Sequence, residues 1–521
     1  MQWYVLVLLV GLWECTSAAR ILAYFPLPWK SHQFVVRPLM KELAKRGHHV
    51  HFITSFPMPD PPKGIAQYVV KDWQHDALGS LDENEITDSC IFRLQSMSSK
   101  IGVMILTNSF AKDQASIDLL KSNETYDAVI TEFTMGSEGI AYLAHKFQAL
   151  NIAIMGLPDY PWLNEMAGLP DNPSYMANYL NMAIGKLSFL ERLYNAYVVT
   201  SINLAGYLEI LTRQQKFADE VLRYEGWENR PKLTEIIAET ALILTNSHPS
   251  TGFPYPRAPH VKEISGTNID PQPLPKDLQD FMDDAPHGVI YFSLGSVLDP
   301  KEVLADGKFE AFLNVFRRMK EKVMWKVSPG MPEVKDPNIK LQTWFPQQGI
   351  LAHKNLKLFI THGGLQSTVE SIAFGLPTLG MPFFFDQIKD VGFMKHVGMG
   401  LQLSFDNITE SSVSWTINEL LTNPKYRENA IKQQSLFHDR PMKPVDEAAY
   451  WIEYVLRHGK VLRPVSATMP FYQLYLLDVA AFILTVIAVI LYAVKALVRT
   501  VMALCWKPNA KNSSTKKKKT N

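Results

Sequence analysis

The chain carries, at Phe359–Gln387, the stretch FITHGGLQSTVESIAFGLPTLGMPFFFDQ, which says more about its architecture than any other part. Leu358–Thr361 is apolar and predicts a short strand, and a His-Gly-Gly turn follows it. Leu365–Phe374 then predicts a helix, because its apolar residues recur at helical spacing. Glycine lets the backbone approach a ligand closely. A helix that opens after such a turn presents free N–H groups and a positive dipole end, which suits a phosphate.

Polar and aromatic residues in and beside this stretch supply partners for the rest of a nucleotide sugar. Trp344, in the preceding WFPQQ segment Trp344–Gln348, offers a flat face for a base. Glu370 lies one helical turn beyond the phosphate-binding end, where a carboxylate can accept hydrogen bonds from ribose hydroxyls. Asp386 and Gln387 end the stretch and can hold sugar hydroxyls. The predicted donor-binding residues are Ser296, Trp344, Gln347, His362, Gly364, Gln366, Ser367, Glu370, Asp386 and Gln387.

The same residues carry a family resemblance. Their order and spacing resemble the donor-binding signature of the UDP-glycosyltransferases, the inverting enzymes that include the animal glucuronosyl- and glucosyltransferases. The pattern there is W-x-P-Q, then H-x-G-x-x-S/T-x-x-E, then D-Q, and nine positions match it here. The resemblance extends from about Arg20 to the C-terminus and is greatest to the invertebrate members. It implies an α/β GT-B fold, in which two Rossmann-like domains face a cleft. It also implies that the protein acts in detoxification.

Composition narrows the class of protein. A chain of 521 residues is long enough for two or three domains. The net charge of +1 gives no global field for a nucleic-acid partner. Of the three cysteines, Cys15 and Cys505 lie in or beyond the apolar ends, which leaves Cys90 alone in the body. An intramolecular disulfide in the body and a multi-cysteine zinc site are therefore excluded.

Both ends of the chain predict targeting. Residues 1–19 read as a signal peptide, with small residues before the expected cleavage after Ala19. Residues 474–494 are apolar and about long enough to cross a bilayer. The basic segment 495–521 follows them and, by the positive-inside rule, predicts a cytosolic tail and a lumenal body. The terminal KKTN resembles the dilysine retrieval signal, so we expect a single-pass endoplasmic-reticulum membrane protein. Asn123 and Asn407 begin glycosylation sequons on the lumenal side.

The body divides into two predicted lobes. Apolar runs alternate with helical patterns, which predicts parallel sheets. The expected parts are an acceptor-binding domain at 20–266, a linker at 267–286, a UDP-sugar-binding domain at 287–440, and a return helix with a juxtamembrane segment at 441–473. The strands are predicted at Arg20–Phe25, His48–Phe56, Tyr126–Thr131, Asn151–Gly156, Gly288–Leu294, Val323–Val327, Leu341–Trp344, Leu356–Thr361 and Pro377–Met381.

Two residues are candidates for the chemistry of transfer. His32 lies in the predicted loop after the first strand, and Glu132 follows the strand Tyr126–Thr131. Carboxyl ends of parallel strands share one edge of a sheet, so the two side chains can meet there. Histidine titrates near neutral pH, and a carboxylate behind it fixes the ring and stabilises the imidazolium. By the family resemblance His32 is the catalytic base, and Glu132 stands where the family has an orienting aspartate.

The leaving diphosphate also needs stabilisation as the glycosidic bond breaks. The sequence has no Asp-x-Asp triplet, which many glycosyltransferases use to hold a divalent metal. The task falls instead to the helix N-terminus after Gly364, to His362 and to Ser296 in the predicted loop Ser293–Ser296. We therefore expect no cofactor and no metal, with the UDP-sugar acting as a co-substrate.

Two other functions stay open at the level of sequence. One is a catalytically silent, membrane-anchored protein that binds a nucleotide sugar or a lipophile with the same fold. The other is a nicotinamide-dependent enzyme, which the absence of Gly-x-Gly-x-x-Gly after the first strand disfavours. The acceptor-pocket walls are expected at Pro57–Val70 and Pro158–Tyr197, whose composition suggests a small lipophilic alcohol. Glucose is the preferred donor sugar over glucuronate, and a homo-oligomer is compatible with the sequence.

Overall fold

The structure, a computed structural model, describes residues 18–27, 29–71, 100–134, 136–158, 161–177, 185–296, 298–383 and 386–506. The predicted signal peptide lies outside the described residues except for Ala18 and Ala19, and so does the tail beyond Trp506 with its terminal KKTN. Contacts divide the chain into two units, residues 1–467 and residues 468–521.

The first unit contains two parallel sheets. The seven strands of the first sheet, in the spatial order β3-β2-β1-β4-β5-β6-β7, are β1 Arg20–Phe25, β2 His49–Thr54, β3 Ile65–Val69, β4 Ala128–Glu132, β5 Leu150–Met155, β6 Leu242–Thr245 and β7 Val261–Glu263. The six strands of the second sheet, in the order β10-β9-β8-β11-β12-β13, are β8 Val289–Ser293, β9 Lys322–Lys326, β10 Ile339–Gln342, β11 Leu356–Thr361, β12 Thr378–Gly380 and β13 Gly400–Gln402.

Helices connect these strands. The α-helices with defined bounds are α1 Lys30–Lys45, α2 Gln114–Lys121, α3 Tyr142–Lys146, α4 Pro161–Met166, α5 Phe189–Ala205, α6 Thr212–Val221, α7 Leu233–Ala238, α8 Lys276–Asp283, α9 Pro300–Val303, α10 Lys308–Phe316, α11 Gln347–Leu351, α12 Leu365–Ala373, α13 Asp386–His396, α14 Glu410–Thr422, α15 Pro424–His438, α16 Pro444–His458, α17 Phe471–Leu474 and α18 Leu477–Cys505. Residues 100–107 are also helical. Single 3₁₀ or π turns lie at Asn108–Lys112, Glu138–Ala141, Gly206–Leu211, Trp227–Asn229, Phe405–Asn407 and Val465–Thr468.

Each sheet has a point where its strand order reverses direction. In the first sheet β1 lies between β2 and β4, and in the second β8 lies between β9 and β11. The connections that leave two such neighbouring strands run to opposite sides, which opens a crevice at the carboxyl ends of the strands. This topology brings the residues after β1 next to those after β4, and the residues after β8 next to those after β11.

The central strands of the first sheet are buried on both faces, which explains their apolar sequences. Along β1, Leu22 and Tyr24 enter one hydrophobic cluster, and Ile21, Ala23 and Phe25 enter another on the opposite face. The second of these clusters includes four residues of α16, namely Ala448, Ala449, Ile452 and Val455. The chain therefore returns from the second lobe to cover one face of the first.

The structure differs from the sequence expectations at several places. The predicted linker 267–286 contains α8, whose Leu278 and Met282 are buried with Val289 and Tyr291 of the second lobe. The helix is only two turns long, so its few apolar residues give no visible period among the surrounding prolines. Strands β3, β6, β7 and β13 were not predicted. They are three to five residues long, too short to establish an alternating pattern.

The second unit contains an apolar helix that is long enough to span a membrane. This helix, α18, has 29 residues and a mean hydropathy of 2.6 over its most apolar window. It begins at Leu477 rather than at the expected residue 474, because Leu476 adopts a positive φ of 53° and interrupts the helical path. At the other end it continues past the expected Val494 through Lys495 and Arg499 to Cys505. Long basic side chains at a helix end can reach the polar interface, so they are compatible with a span.

Candidate active site

His32 and Glu132 meet at the crevice of the first sheet. His32 Nδ1 lies 2.6 Å from Glu132 Oε1, although the two residues are 100 positions apart. Glu132 is the last residue of β4, and His32 lies in the first turn of α1 rather than in the predicted loop. The helix begins earlier than expected because Lys30 and Ser31 already adopt helical geometry. The imidazole is thus held on a rigid element, with Nε2 left for a substrate.

Charges on both sides of the crevice act on the imidazole. Burial lowers the pKa of His32, but the charge and hydrogen bond of Glu132, together with the carboxylate of Asp386, outweigh burial and raise this pKa above its ordinary value. Asp386 belongs to the second lobe, where it begins α13. The two lobes therefore face each other across this histidine.

Two residues that sequence reasoning missed hold the carboxylate of Glu132 in place. The Thr134 hydroxyl donates to Glu132 Oε1 at 2.7 Å, and the backbone N–H of Gly156 donates to the same oxygen at 3.0 Å. A Cβ at Gly156 would lie 2.6 Å from His32 Nδ1 and 2.7 Å from Glu132 Oε1. Glycine is therefore required there to leave room for the pair. Its place after β5, at the same sheet edge, is the signal that could have identified it.

A second buried carboxyl group follows Glu132 closely in the chain. Glu138 is 0% exposed, and neither of its carboxylate oxygens accepts a hydrogen bond of normal geometry, although two backbone N–H groups lie near them. Burial raises the pKa of Glu138 to about 7, and the backbone N–H groups of Glu138 and Gly136 offset part of that effect. Because the folded protein holds this proton more tightly than the unfolded chain, the group costs stability as the pH rises from about 4.5 to 7.

We expect Glu138→Gln to stabilise the fold above pH 7, since the amide has the same shape and cannot ionise. A pKa shift from 4.5 to about 7 corresponds to roughly 3 kcal/mol at pH 8. The gain should be small at pH 5, where the wild-type carboxyl is protonated. Thermal unfolding across this pH range measures the difference, with the exposed Glu220→Gln as the matched control. A stability difference between Glu138→Gln and the wild type that does not change with pH would contradict the raised pKa of Glu138.

In the second lobe, Glu370 is the centre of a hydrogen-bond network. Gln347 Nε2 donates to Glu370 Oε2 at 2.6 Å, Gln348 Nε2 donates to Oε1 at 2.9 Å, and Gln366 Nε2 lies 3.4 Å from Oε1. Glu370 is 4% exposed, and burial raises its pKa despite these amides. The network joins the Trp344–Gln348 segment to helix α12. It brings together three residues predicted from sequence, and it adds Gln348.

His362 lies between two glycines after β11. A Cβ at Gly295 would lie 2.5 Å from the imidazole Cε1, and one at Gly364 would lie 2.6 Å from Nε2. These two glycines therefore let the loops after β8 and β11 close around the ring. Burial, aided by the charge of Lys326, lowers the pKa of His362 to about 4. The ring is neutral at physiological pH and can offer hydrogen bonds but no full charge.

The N-terminus of α12 already contacts a carboxylate. The backbone N–H of Leu365, the first residue of the helix, donates to Asp386 Oδ2 at 3.1 Å. Gly364 occupies the N-cap position, and Ser367 lies in the first turn with 6% of its surface exposed. Gln387, next to Asp386, uses its side-chain oxygen to accept from the backbone N–H of Phe383 at 2.9 Å. The structure thus gathers these predicted residues at one helix end.

Two predicted donor-binding residues are open to solvent. Trp344 is 54% exposed, and Ser296 is exposed on the loop after β8. Two ammonium groups lie near the indole: Lys30 Nζ is 4.1 Å and Lys326 Nζ is 5.1 Å from its ring centroid. Sequence reasoning did not assign either lysine a role.

Within the ranges that the structure describes, no group of three or more His, Cys, Asp and Glu side chains is placed to hold a metal ion. The expectation of a reaction without metal stays a prediction.

Comparisons with known proteins decide the family. The family model described as "UDP-glucoronosyl and UDP-glucosyl transferase" matches residues 28–512. The chain belongs to this family. UDP-glucosyltransferase 2 of Dactylopius coccus is 31% identical over 520 residues, which cover 98% of this chain and 99% of that protein. UDP-glucuronosyltransferase 2B17 of Rattus norvegicus is 33% identical over 323 residues, which cover 61% of this chain and 59% of that protein.

Solved structures agree on the architecture. The glycosyltransferase of kitacinnamycin superposes with a TM-score of 0.58 at 16% sequence identity, over 84% of this chain and 99% of that one. The likeness confirms the predicted GT-B fold with its two Rossmann-like domains. The chain is therefore a UDP-glycosyltransferase, for which a UDP-sugar is the co-substrate.

Proposed function

We propose that this UDP-glycosyltransferase transfers glucose from UDP-glucose to a hydroxyl of a small lipophilic acceptor, with inversion at the sugar carbon and with His32 as the general base. The observation that carries the proposal is the 2.6 Å contact between His32 and Glu132, which faces Asp386 of the other lobe. A base, its orienting carboxylate and the predicted sugar-binding residue thus surround one crevice.

The proton has a defined route in this arrangement. Glu132 occupies Nδ1 of His32, so Nε2 is the nitrogen that takes the acceptor proton. The imidazolium that forms is stabilised by the same carboxylate, which Thr134 and Gly156 hold in place. In the second lobe, the Glu370 network supports the ribose, and Asp386 supports the sugar hydroxyls. Each proposed role follows from the group's chemistry and position.

The choice of glucose rests on the sugar end of the cleft. Glucuronate needs a cation for its carboxylate, and Lys389 is three residues beyond Asp386 on α13. Its ammonium donates to the carbonyl oxygen of Ala177 in the first lobe at 3.2 Å, and the side chain is 7% exposed. This contact favours a bridging role for Lys389 between the lobes. The similarity over full length to a protein named a glucosyltransferase supports the same choice.

A donor screen tests the proposal. Purified full-length enzyme is incubated with a panel of lipophilic alcohols and with UDP-glucose or UDP-glucuronate, and the glycoside is measured. We expect transfer from UDP-glucose at a rate at least tenfold higher, unchanged after exhaustive chelation. Preference for UDP-glucuronate would overturn the sugar assignment. Activity lost with chelator and restored by magnesium or manganese would overturn the metal-free assignment and direct attention to Asp386 and Asp390.

We further propose that the enzyme lies in the endoplasmic-reticulum membrane with its body in the lumen and its basic tail in the cytosol. The apolar helix α18 and the basic residues that follow it support this orientation. Asn123 and Asn407, which begin the sequons, are both exposed on the body. Lumenal exposure would allow glycan attachment at these sites.

Removal of residues 474–521 should release the body from the membrane, because α18 is the candidate span within the described residues. We expect the truncated protein in the supernatant after carbonate washing. We also expect endoglycosidase H to remove glycans from the full-length form. The full-length chain is the control and should stay in the pellet. A truncated protein that still pellets would show a second membrane attachment, and unglycosylated sequons would contradict the lumenal orientation.

A further inference from the structure

The groups predicted to stabilise the diphosphate carry little positive charge. His362 is neutral at physiological pH, since burial holds its pKa near 4. The first N–H of α12 is already used by the carboxylate of Asp386. A diphosphate that leaves with its bonding electrons gathers negative charge, and preorganised positive groups are the usual means of stabilising it. Beyond the partial charge of the helix end, a full positive charge would have to come from another part of the cleft.

Lys326 lies at the place where this charge is needed. It is the last residue of β9, the sheet neighbour of β8, at the carboxyl end of the strands. Its Nζ donates to the carbonyl oxygen of Gly295 at 2.5 Å, in the loop that closes over His362. The ammonium is also 5.1 Å from the Trp344 ring centroid. Lys326 thus lies between the predicted base-stacking residue and the predicted phosphate loop.

Lys30 approaches the same ring from the other lobe. It is the first residue of α1, two positions before His32, and its Nζ is 4.1 Å from the Trp344 ring centroid. Burial lowers the pKa of both lysines, and the charge of Lys30 lowers the pKa of Lys326 further. Because both ammonium groups lie within about 5 Å of the same ring centroid, their like charges are brought together across the cleft.

Neither ammonium group forms a salt bridge with an Asp or Glu among the described residues. Lys322, on the same strand as Lys326, does so with Asp284, and Lys340 does so with Asp277. Partly buried like charges without a counter-charge are unfavourable in the free protein. Binding of an anion between them removes this cost, so the arrangement favours a ligand of high negative charge.

We propose that Lys30 and Lys326, here called the cationic pair, bind the diphosphate of the donor and stabilise UDP as it leaves. The inference rests on the UDP-sugar site proposed above and assigns it two further residues, one from each lobe. Because Lys30 belongs to the acceptor lobe, the diphosphate then links the two lobes and couples donor binding to the position of His32.

The transfer step shows why this charge matters. The acceptor oxygen forms a bond to the sugar C1 while its proton passes to His32. The bond between C1 and the β-phosphate oxygen breaks, and both electrons stay on that oxygen. UDP leaves with one more negative charge than its atoms carried in the UDP-sugar, so two ammonium groups interact more strongly with the transition state than with the bound donor.

Binding of UDP and of uridine to the full-length enzyme tests the inference. Calorimetry on Lys326→Met and Lys30→Met should show UDP affinity about 10–100-fold weaker for each variant, as expected for the loss of a charged partner. Uridine affinity should stay within about twofold, because uridine has no phosphate. Lys326→Arg and Lys30→Arg should recover most of the UDP affinity. The matched control is Lys322→Met, which should bind UDP like the wild type.

The outcomes separate this inference from the proposed function. Equal loss of UDP and uridine affinity, or UDP affinity unchanged in both methionine variants, would overturn the role of the cationic pair. The proposed function would still stand if the wild-type enzyme transfers sugar. An effect of Lys326→Met alone would overturn the role of Lys30 and the link between the lobes. A wild type that binds no UDP would overturn the proposed donor site itself. The salt dependence of UDP binding should also become weaker in the methionine variants.

Discussion

Replacing His32 by alanine is expected to lower the turnover of the enzyme by about 10²–10⁴-fold, the usual effect of losing a positioned general base. Binding of UDP should stay nearly unchanged, because the alanine removes none of the side chains assigned to UDP and leaves Lys30 and the second lobe intact. The measurement is kcat for sugar transfer alongside the Kd of UDP for both proteins. Added imidazole should restore part of the rate to the alanine variant if the missing group is a proton acceptor.

The matched control is His49→Ala. His49 is exposed and begins β2, at the amino end of the first sheet and away from the crevice. We expect this variant to keep wild-type turnover and stability. Turnover of His32→Ala close to that of the wild type would refute the role of His32, whereas a loss of UDP binding and of thermal stability together would indicate a structural role instead.

Replacing Glu132 by glutamine should lower turnover by on the order of 10²-fold, because the amide cannot stabilise the imidazolium and can favour the wrong tautomer. The pH profile should change as well. His32 must be unprotonated to act as a base, and Glu132 contributes to its raised pKa. The rate of the wild type therefore falls as the pH drops through a value above the ordinary histidine pKa. In the variant this fall should occur at lower pH.

Glu132→Asp provides a second and stricter comparison. Aspartate keeps the charge but is one methylene shorter, so it cannot reach His32 Nδ1 from the position that gives the observed 2.6 Å contact. The absence of a Cβ at Gly156 leaves the space that the Glu132 carboxylate and the His32 ring occupy. We expect the aspartate variant to lose part of its activity. Its pH profile should be shifted from that of the wild type by less than the profile of the glutamine variant. A pH profile identical in all three proteins would contradict the assigned partnership of Glu132 and His32.

The second-lobe half of the candidate site could be nominated from sequence because its residues follow one another along a short stretch. From Trp344 to Gln387 the order of strand, turn and helix is set by local periodicity and by the glycines at His362–Gly364. The links within it are local too, since Gln366 and Glu370 are four positions apart on one helix. Residue type and spacing therefore carried enough information to nominate these residues as candidates. Their hydrogen-bond partners, such as Gln348, required the structure.

The first-lobe half of the candidate site shows the limit of that reasoning. His32 and Glu132 could be nominated because each follows a predicted strand, and strands of a parallel sheet end at a common edge. The helical position of His32, the space provided by Gly156 and the bond from Thr134 appear in no local pattern. They depend on how α1 and β5 pack against β1 and β4. Short strands such as β6 were missed for the same reason, since their neighbours and not their own residues define them.

The sequence by itself determined the family, the GT-B fold, the apolar C-terminal helix and the identity of most candidate site residues, because motifs and hydrophobic periods are properties of short segments. Only the tertiary structure decided which distant residues meet. The contact between Lys30 and Trp344 joins two lobes that lie far apart in the chain. Such a contact requires the two lobes to meet, and α16, which follows the second lobe in the chain, packs onto the first sheet. Long-range packing energy, summed over many buried side chains, sets that geometry, and no single stretch contains it.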